Sequence, residues 1–457
     1  MISACSALQR SGRFKFPSDY AKAAHRRTGR LHFRCGAVLL GGLPNDSPNP
    51  PGSRVNRWWY ASALAMVYCF YWVFHLLFTQ WWFTLPHDQG PGPIIRAERL
   101  TNGTMAALLG VTMLAMRSRR VDRAASRGRR AILLAVLVVF LGFHVANWTE
   151  HRRAAGVLVE DVGRTTIAAD HLLLQGKNPY AAPVDPQGGS PPSTRFDGYK
   201  YLPVTMGVYF PSAMLFSNGS QAIVATNLVL SLMAALALGV CVRKEISLDA
   251  ALLCATLFFM SEVVSYEEVV FGSNDVVPML LATAALCNLE RRFVCGVLVG
   301  LAIAAKPLPG VLWIPILLTP RGTKGCAAGI GVGLLPCLPF LLWNPVAMID
   351  NTLLFASSRG WAPAAALYHA PAAVRIAAQL AVIGVYLAVG LRNWSAPASL
   401  IRRCCYAAVL SLGLELAAPF VHQNYFIWWY MPLCAAVTGM IFNPATYEWI
   451  GRSRSEL

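Results

Sequence analysis

Long apolar runs separated by short basic loops constrain this chain more than any other feature. Ala131–Trp148 and Cys404–Phe420, the second interrupted by Glu415, approach the roughly 20 apolar residues that a helix needs to cross a hydrocarbon core. Composition agrees: 56% of residues are hydrophobic and 13% are charged, where a soluble protein carries about a quarter charged residues. The chain reads as an all-α, polytopic membrane protein.

The formal charge of +17 raises the question of nucleic acid. Its basic residues sit in short loops between apolar spans, as the positive-inside rule expects, so the implied partner is the lipid bilayer and not nucleic acid. The 12 cysteines show no CxxC pair and no Cys/His cluster. Cys69, Cys241, Cys254, Cys287, Cys337 and Cys434 lie inside apolar spans and read as small buried hydrophobes.

Residues 1–57 are basic, rich in Pro, Gly and Ser, and end in the linker-like "GGLPNDSPNPPGSR". They read as a disordered cytoplasmic extension, either genuine or the product of an over-extended start. Residues 58–442 form the transmembrane domain, and 443–457 a cytoplasmic tail. The first span, Trp58–Leu85, is flanked by "RWWY" and "QWWF", aromatics suited to bilayer interfaces. A second follows near Thr104–Met116. "RSRRVDRAASRGRR" is the strongest basic loop and anchors the cytoplasmic side. Ala131–Trp148 then leads outward, so the loop 150–200 is extracytoplasmic.

The same rule places Arg243–Lys244, Arg291–Arg292, Arg321–Lys324, Arg392–Arg403 and Arg452–Arg454 inside. Two apolar segments, Tyr201–Phe216 and Ala222–Val242, then occupy a path that allows an odd number of crossings. The first is short and contains Pro203 and Pro211, so it reads as re-entrant. "VCGVLVGLAIAAKPLPGVLWIPILL" starts and ends beside basic clusters and must turn back midway, with Lys306 at the apex. Broken helices of this kind are tolerated where they line a protein-enclosed cavity. The remaining expected spans are Leu248–Val270, Asp275–Leu289, Cys326–Trp343, Ala373–Leu391, Cys404–Phe420 and Tyr425–Phe442. Together these make about 12 spans with both termini cytoplasmic.

The unusual polar residues collect on the outer side. Loop 150–200 carries Glu160, Asp161, Arg164, Asp170, His171, Asp197 and Lys200; "SYEEVVFGSND" carries Glu267, Glu268, Asn274 and Asp275. Lys306 follows, then Asp350, Asn351, Arg359 and Trp361, and finally His422, Gln423 and Tyr425. In "EDVGRTTIAADHLLLQGKNPY", Val162, Thr166, Ala169 and Leu173 share one face by i, i+4, i+7, i+11 spacing. Asp161, Arg164, His171 and Gln175 fall within about 80° on another arc. Gly176 supplies a C′ stop with Pro179 beyond it. The expectation is a helix lying flat on the outer surface. Its polar arc either presents a carboxylate to a cavity or merely faces solvent.

This segment, followed by "YKYLPVTMGVYFP" and later by "FGSND…GVLVGLAIAAKPLPG" and "HQNYFIWWYMP", resembles glycosyltransferase family 87, membrane enzymes of the GT-C superfamily. The resemblance is to polyprenyl-phosphate-mannose-dependent mannosyltransferases. It implies a GT-C-like bundle whose large extracytoplasmic loop contains juxtamembrane helices and an inverting catalytic base. The departures are specific. The family's Tyr after the opening Asp is replaced by Arg164 and Thr165, and Gly-Gln-x-Asn has become Gly272-Ser273-Asn274-Asp275. The stretch from Asp161 to Tyr180 is about one residue longer than the family pattern, which leaves both Asp161 and Glu160 as candidates for the base.

The resemblance implies transfer of a hexose, with mannose expected, from a polyprenyl-phosphate donor to an extracytoplasmic glycolipid or glycan acceptor. A phosphate leaving group needs no protein acid, but the acceptor hydroxyl needs a base, assigned to Asp161 or Glu160. Positive charge must meet the departing phosphate. Lys306 leads there, because a lysine inside an apolar hairpin is costly unless paired or functional; Arg164, Lys200, Arg359 and His422 are further candidates. Tyr180, Tyr199, Asn274, Asp275 and Gln423 are candidate substrate contacts.

Blander roles stand beside each of these. Lys306 could neutralise Asp275, Asn274 and Asp275 could cap a helix, and Asn178-Pro179-Tyr180 could simply set a turn. No Asp-x-Asp or His-x-x-x-His signature occurs, so neither metal nor cofactor is expected. The competing class is a secondary transporter, which broken helices and an intramembrane lysine also suit; a non-enzymatic scaffold has no positive feature.

Overall fold

The computed structural model describes residues 127–128, 130–139, 141–142, 145, 161–184, 196–259, 261, 264, 272–317, 319, 322–355, 361, 365–395, 398–419 and 423–442, the side chains of Asp161, Gln423 and Asn424 excepted. The spans expected at Trp58–Leu85 and Thr104–Met116, the segments 1–57 and 443–457, and Glu160, Glu267, Glu268, Arg359 and His422 lie outside these residues.

In chain order the α-helices are α1 Arg130–Val139, α2 Asp161–Leu174, α3 Pro203–Leu215, α4 Gly219–Glu245, α5 Leu248–Phe259, α6 Val276–Cys287 and α7 Arg292–Ala305. They continue with α8 Pro307–Leu312, α9 Ile314–Leu317, α10 Thr323–Gly333, α11 Leu338–Trp343, α12 Pro345–Ile349, α13 Ala372–Ser395, α14 Leu400–Ala417 and α15 Ile427–Phe442. No strand occurs among the described residues. Gly219–Glu245, Thr323–Trp343 and Ala372–Ser395 are long and apolar enough to cross a membrane. Several shorter apolar helices accompany them. At 13 residues, α3 extends only about 20 Å, which suits the expected half-membrane segment.

The long helix α4 is oriented by its ends. Asn218 caps it, its side chain accepting from the backbone N–H groups of Ser220 and Gln221 at 2.9 and 3.3 Å. Arg243 and Lys244 occupy the last turn, where cations suit the helix dipole. The helix α2 packs at the Asn218 end: a Cβ on Gly219 would sit 3.4 Å from the Ile167 side chain, and one on Gly163 would meet Ile223 at 2.9 Å. The helix α2 and the basic turn therefore lie at opposite ends of α4.

The hairpin around Lys306 is present. The chain breaks between α7 and α8 at Lys306, then runs back along α7: a Cβ on Gly310 would lie 2.5 Å from the Ile303 nitrogen, and one on Gly322 would lie 2.4 Å from the Arg292 side chain. Prolines break the return limb into α8 and α9 and free carbonyl groups that lipid could not satisfy. Neighbouring side chains bond them instead. Tyr386 donates to Val311 O at 3.1 Å, Asn393 donates to Pro315 O at 2.9 Å, and the buried Arg403 guanidinium donates to Ile316 O.

Against its other side α7 receives α10 at backbone contact. Gly296 and Gly300 face Cys326 and Ile330, while Gly329 and Gly333 face Phe293 and Val297. A Cβ at any of the four would come within 2.4 Å of the opposing carbonyl oxygen. Paired small-xxx-small stripes let membrane helices approach this closely. The Gly-x-x-x-Gly seen in the sequence is thus a packing seam.

One expectation is corrected. Cys241 and Cys287 are not free hydrophobes but form a disulfide joining α4 to α6, with Cα atoms 5.2 Å apart. They lie 46 residues apart in sequence and meet only because the two helices pack side by side, so no local motif announces them. Cys254, Cys337 and Cys434 are free and buried, as read.

Candidate active site

Two polar centres adjoin one another beside the first turn of α2. The first is built on Lys306. As the break between α7 and α8, Lys306 is extended (φ −146°, ψ 113°), which projects its side chain off the apex. Its Nζ donates to Asp275 Oδ1 at 2.6 Å, with side-chain exposures of 11% and 0%. Trp428 Nε1 donates to the same oxygen at 2.6 Å, and Ser273 Oγ donates to Asp275 Oδ2 at 2.9 Å. The rings of Tyr425, Tyr201 and Trp428 stand 4.9, 5.2 and 5.6 Å from Nζ, within cation–π range. Tyr425 and Trp428 are themselves stacked, centroids 4.4 Å apart.

Asp275 opens α6 without a side-chain capping bond. Its carboxylate instead serves the lysine. Asn274 is 1% exposed, and neither its Nδ2 nor its Oδ1 has a partner among the described residues. A buried amide left bare beside an ion pair costs free energy unless something else bonds it. The Ser273 carbonyl is tied down by Asn227 Nδ2 and by Tyr209 Oη, so the 272–275 turn is held from α3 and α4 together. Across this centre Trp429 Nε1 donates to Glu415 Oε2 at 2.9 Å, while Glu415 Oε1 has no partner among the described residues. Adjacent indoles on α15 thus hold two different acids.

The second centre is α2 and the loop after it. The helix ends in a Schellman arrangement: Gly176 has φ 70°, its N–H bonds Leu173 O at 2.9 Å, and Lys177 N–H bonds Leu172 O at 2.9 Å. Asn178 Oδ1 accepts from Tyr180 N–H at 2.9 Å, so Asn-Pro-Tyr sets the turn. Tyr180 Oη donates to Tyr201 O at 2.8 Å. Asn351 Nδ2 donates to Tyr180 O at 3.0 Å while its Oδ1 accepts from Lys200 Nζ at 2.8 Å. Lys200 also lies 4.7 Å from the Phe355 ring; it clamps the loop to the segment after α12.

The inward face of α2 is Gly163, Thr166, Ile167, Ala169 and Asp170, whereas His171 and Gln175 are exposed. The His171–Gln175 part of the predicted polar arc therefore faces outward, with Arg164 half-buried. Thr166 Oγ1 and Tyr199 Oη are 3.2 Å apart and both residues are fully buried. Burial raises the Tyr180 and Tyr199 phenols well above their usual range, and raises the Asp170 carboxyl to about 8.

The two centres meet through backbone. A Cβ on Gly163 would lie 2.7 Å from Gly272 O, so the first turn of α2, which Asp161 opens, abuts the turn that carries Asn274 and Asp275. The 199–205 segment makes the second join, with Leu202 N–H and Thr205 Oγ1 both bonded to Ala305 O, at 3.3 and 3.0 Å. Of the candidates from sequence, the structure thus gathers Lys306, Asp275, Asn274, Tyr199 and the backbone of Asp161. It separates Lys200, which is engaged with Asn351. Glu415, Asn351 and Asp170 were not among those candidates: Asp170 and Asn351 stood only among the collected polar residues, and Glu415 only as the acid interrupting an apolar run.

The architecture is that of an all-helical membrane protein with a polar centre at a broken hairpin. The sequence matches Glycosyltransferase family 87 over residues 199–444, more than half of its 457, and the chain belongs to that family. No curated protein matches it. Among solved structures, ArnT from Cupriavidus metallidurans bound to undecaprenyl phosphate is similar, with 13% identity and a TM-score of 0.44 over 66% of this chain and 59% of that one. The apo state of the same protein gives 15%, 0.44, 68% and 61%.

Proposed function

We propose that this chain is an inverting membrane glycosyltransferase that moves a hexose, mannose by family resemblance, from a polyprenyl-phosphate carrier to an extracytoplasmic glycolipid or glycan. The observation that carries the reading is Lys306. A lysine at the apex of a broken apolar hairpin, ringed by Tyr201, Tyr425 and Trp428, pairs with Asp275, whose turn abuts the helix that bears the candidate base.

In the reaction the acceptor oxygen attacks the anomeric carbon as the bond from that carbon to the phosphate oxygen breaks. The electron pair leaves with the phosphate, and the acceptor proton goes to Asp161 or Glu160. Lys306 offers its charge to the phosphate as negative charge develops. With three donors and one given to Asp275, it can bind an oxyanion without abandoning its partner. Asp275, Trp428 and Ser273 hold it in place, so little reorganisation is needed. Asn274 supplies an unspent amide for sugar or phosphate oxygens. In this reading about 12 spans surround the centre, with both termini cytoplasmic.

The test uses purified full-length protein and a radiolabelled polyprenyl-phosphate hexose. Asp161→Asn should lower transfer by about 100-fold or more if it is the base, with Glu160→Gln near wild type; the reverse outcome moves the base to Glu160. Full transfer in both folded variants refutes a base in this loop. Saturable solute uptake into liposomes without any transfer replaces this reading with a transporter.

A further inference from the structure

Most buried polar groups around the two centres have partners. Asp170 does not. It is 0% exposed, and neither carboxylate oxygen has a hydrogen-bond partner among the described residues. A carboxylate sealed without a partner is far costlier than a carboxyl. Among the described residues no cation compensates it. Thr166, one turn earlier on the same face, bonds Tyr199 Oη; Tyr180 and Tyr201 complete a wall of phenols, Tyr199 lying 5.9 and 5.6 Å from them between ring centroids. Of the helices packed on α2, α3 contributes Tyr209, already bonded to Asn227 and Ser273. The charges of α4 lie in its last turns, remote from α2. Arg164 and His171 lie towards the outward arc of α2.

These groups run in series. Asp170 is buried one turn beyond Thr166 on the inward face of α2, Thr166 fixes Tyr199, which packs edge-on against Tyr201, and Tyr201 covers Lys306 Nζ at 5.2 Å. We propose that Asp170 is a positioning residue, kept as the neutral acid, that sets the Tyr199–Tyr201 wall of the Lys306 cage, so that its ionisation displaces that wall and shuts down the site. The proposal rests on the glycosyltransferase reading for its kinetic consequence, but not for its structural one.

The direction of the pH effect follows from linkage. Unfolded, the group releases its proton near 3.8; folded, near about 8. Between those values the folded chain holds a proton that the unfolded chain has lost, so the group's contribution to stability falls as pH rises through that window and levels off above about 8. Asn at this position is neutral throughout. The melting temperature of Asp170→Asn in detergent should therefore exceed that of wild type by a margin that widens from about pH 5 to about pH 8 and then stays constant.

In the transfer assay, wild type should lose about tenfold per pH unit above about 8, mainly in kcat, whereas Asp170→Asn should retain transfer and lack this alkaline limb. Asp170→Leu should lower transfer, with Asn rescuing it. A double-mutant cycle of Asp170→Asn with Tyr199→Phe, read by melting at about pH 8.5, should be non-additive. A pH-independent melting difference, an additive cycle, an inactive but folded Asp170→Asn, or an unchanged alkaline limb in that variant would each overturn the proposal. Absence of transfer in wild type would instead refute the glycosyltransferase reading, and the melting experiments would still decide for or against Asp170.

Discussion

Lys306 and Asp170 are both ionisable groups in apolar surroundings, and the chain treats them in opposite ways. Lys306 is given a counter-charge, and that counter-charge is itself held by an indole and a hydroxyl. Asp170 is given nothing among the described residues. A buried charge survives only by pairing or by neutralisation, and each centre uses one of these routes. In the proposed function the paired centre presents its ammonium group to the donor phosphate.

The sharpest way to break this contrast is at the paired centre. Lys306→Met should depress turnover by about 100-fold or more, measured per folded protein; unchanged turnover would make the lysine purely structural. Asp275→Asn leaves the lysine buried without its partner and should cost about 3–5 kcal/mol, read as a lowered melting temperature in detergent. Combining Lys306→Met with Asp275→Asn should recover most of that stability while turnover stays low, which separates the folding role of the pair from its chemistry. At the unpaired centre the sign reverses, since Asp170→Asn stabilises. The smallest effect is expected from Tyr199→Phe, which removes one hydroxyl contact to Thr166 and should cost about 1 kcal/mol.

The chain's apolar pattern and basic loops made the helical membrane class legible, and Lys-Pro inside an apolar hairpin marked the apex correctly. Gly176 announced its own helix end because a positive φ demands such a residue. The inward face of α2 was harder. Spacing selected Val162, Thr166, Ala169 and Leu173, but the buried arc is turned toward Gly163 and Asp170. A glycine has no side chain to weigh, and an acid counts as exposed in any hydropathy argument, so a buried Asp170 is invisible until packing is known. The Lys306–Asp275 pair was one of two weighed readings, because 31 residues of sequence separate groups that only the hairpin brings together. The Cys241–Cys287 bond and the Asn351 clamp depend wholly on which helices are neighbours.

The close seam between α7 and α10 has a consequence for spacing. With its four glycines in backbone contact, the seam leaves no room for either helix to slide or tilt against the other. α7 therefore acts as a fixed ruler: its 14 residues hold Lys306 about 21 Å from Arg292, and the seam keeps that spacing constant while the groups around the lysine rearrange.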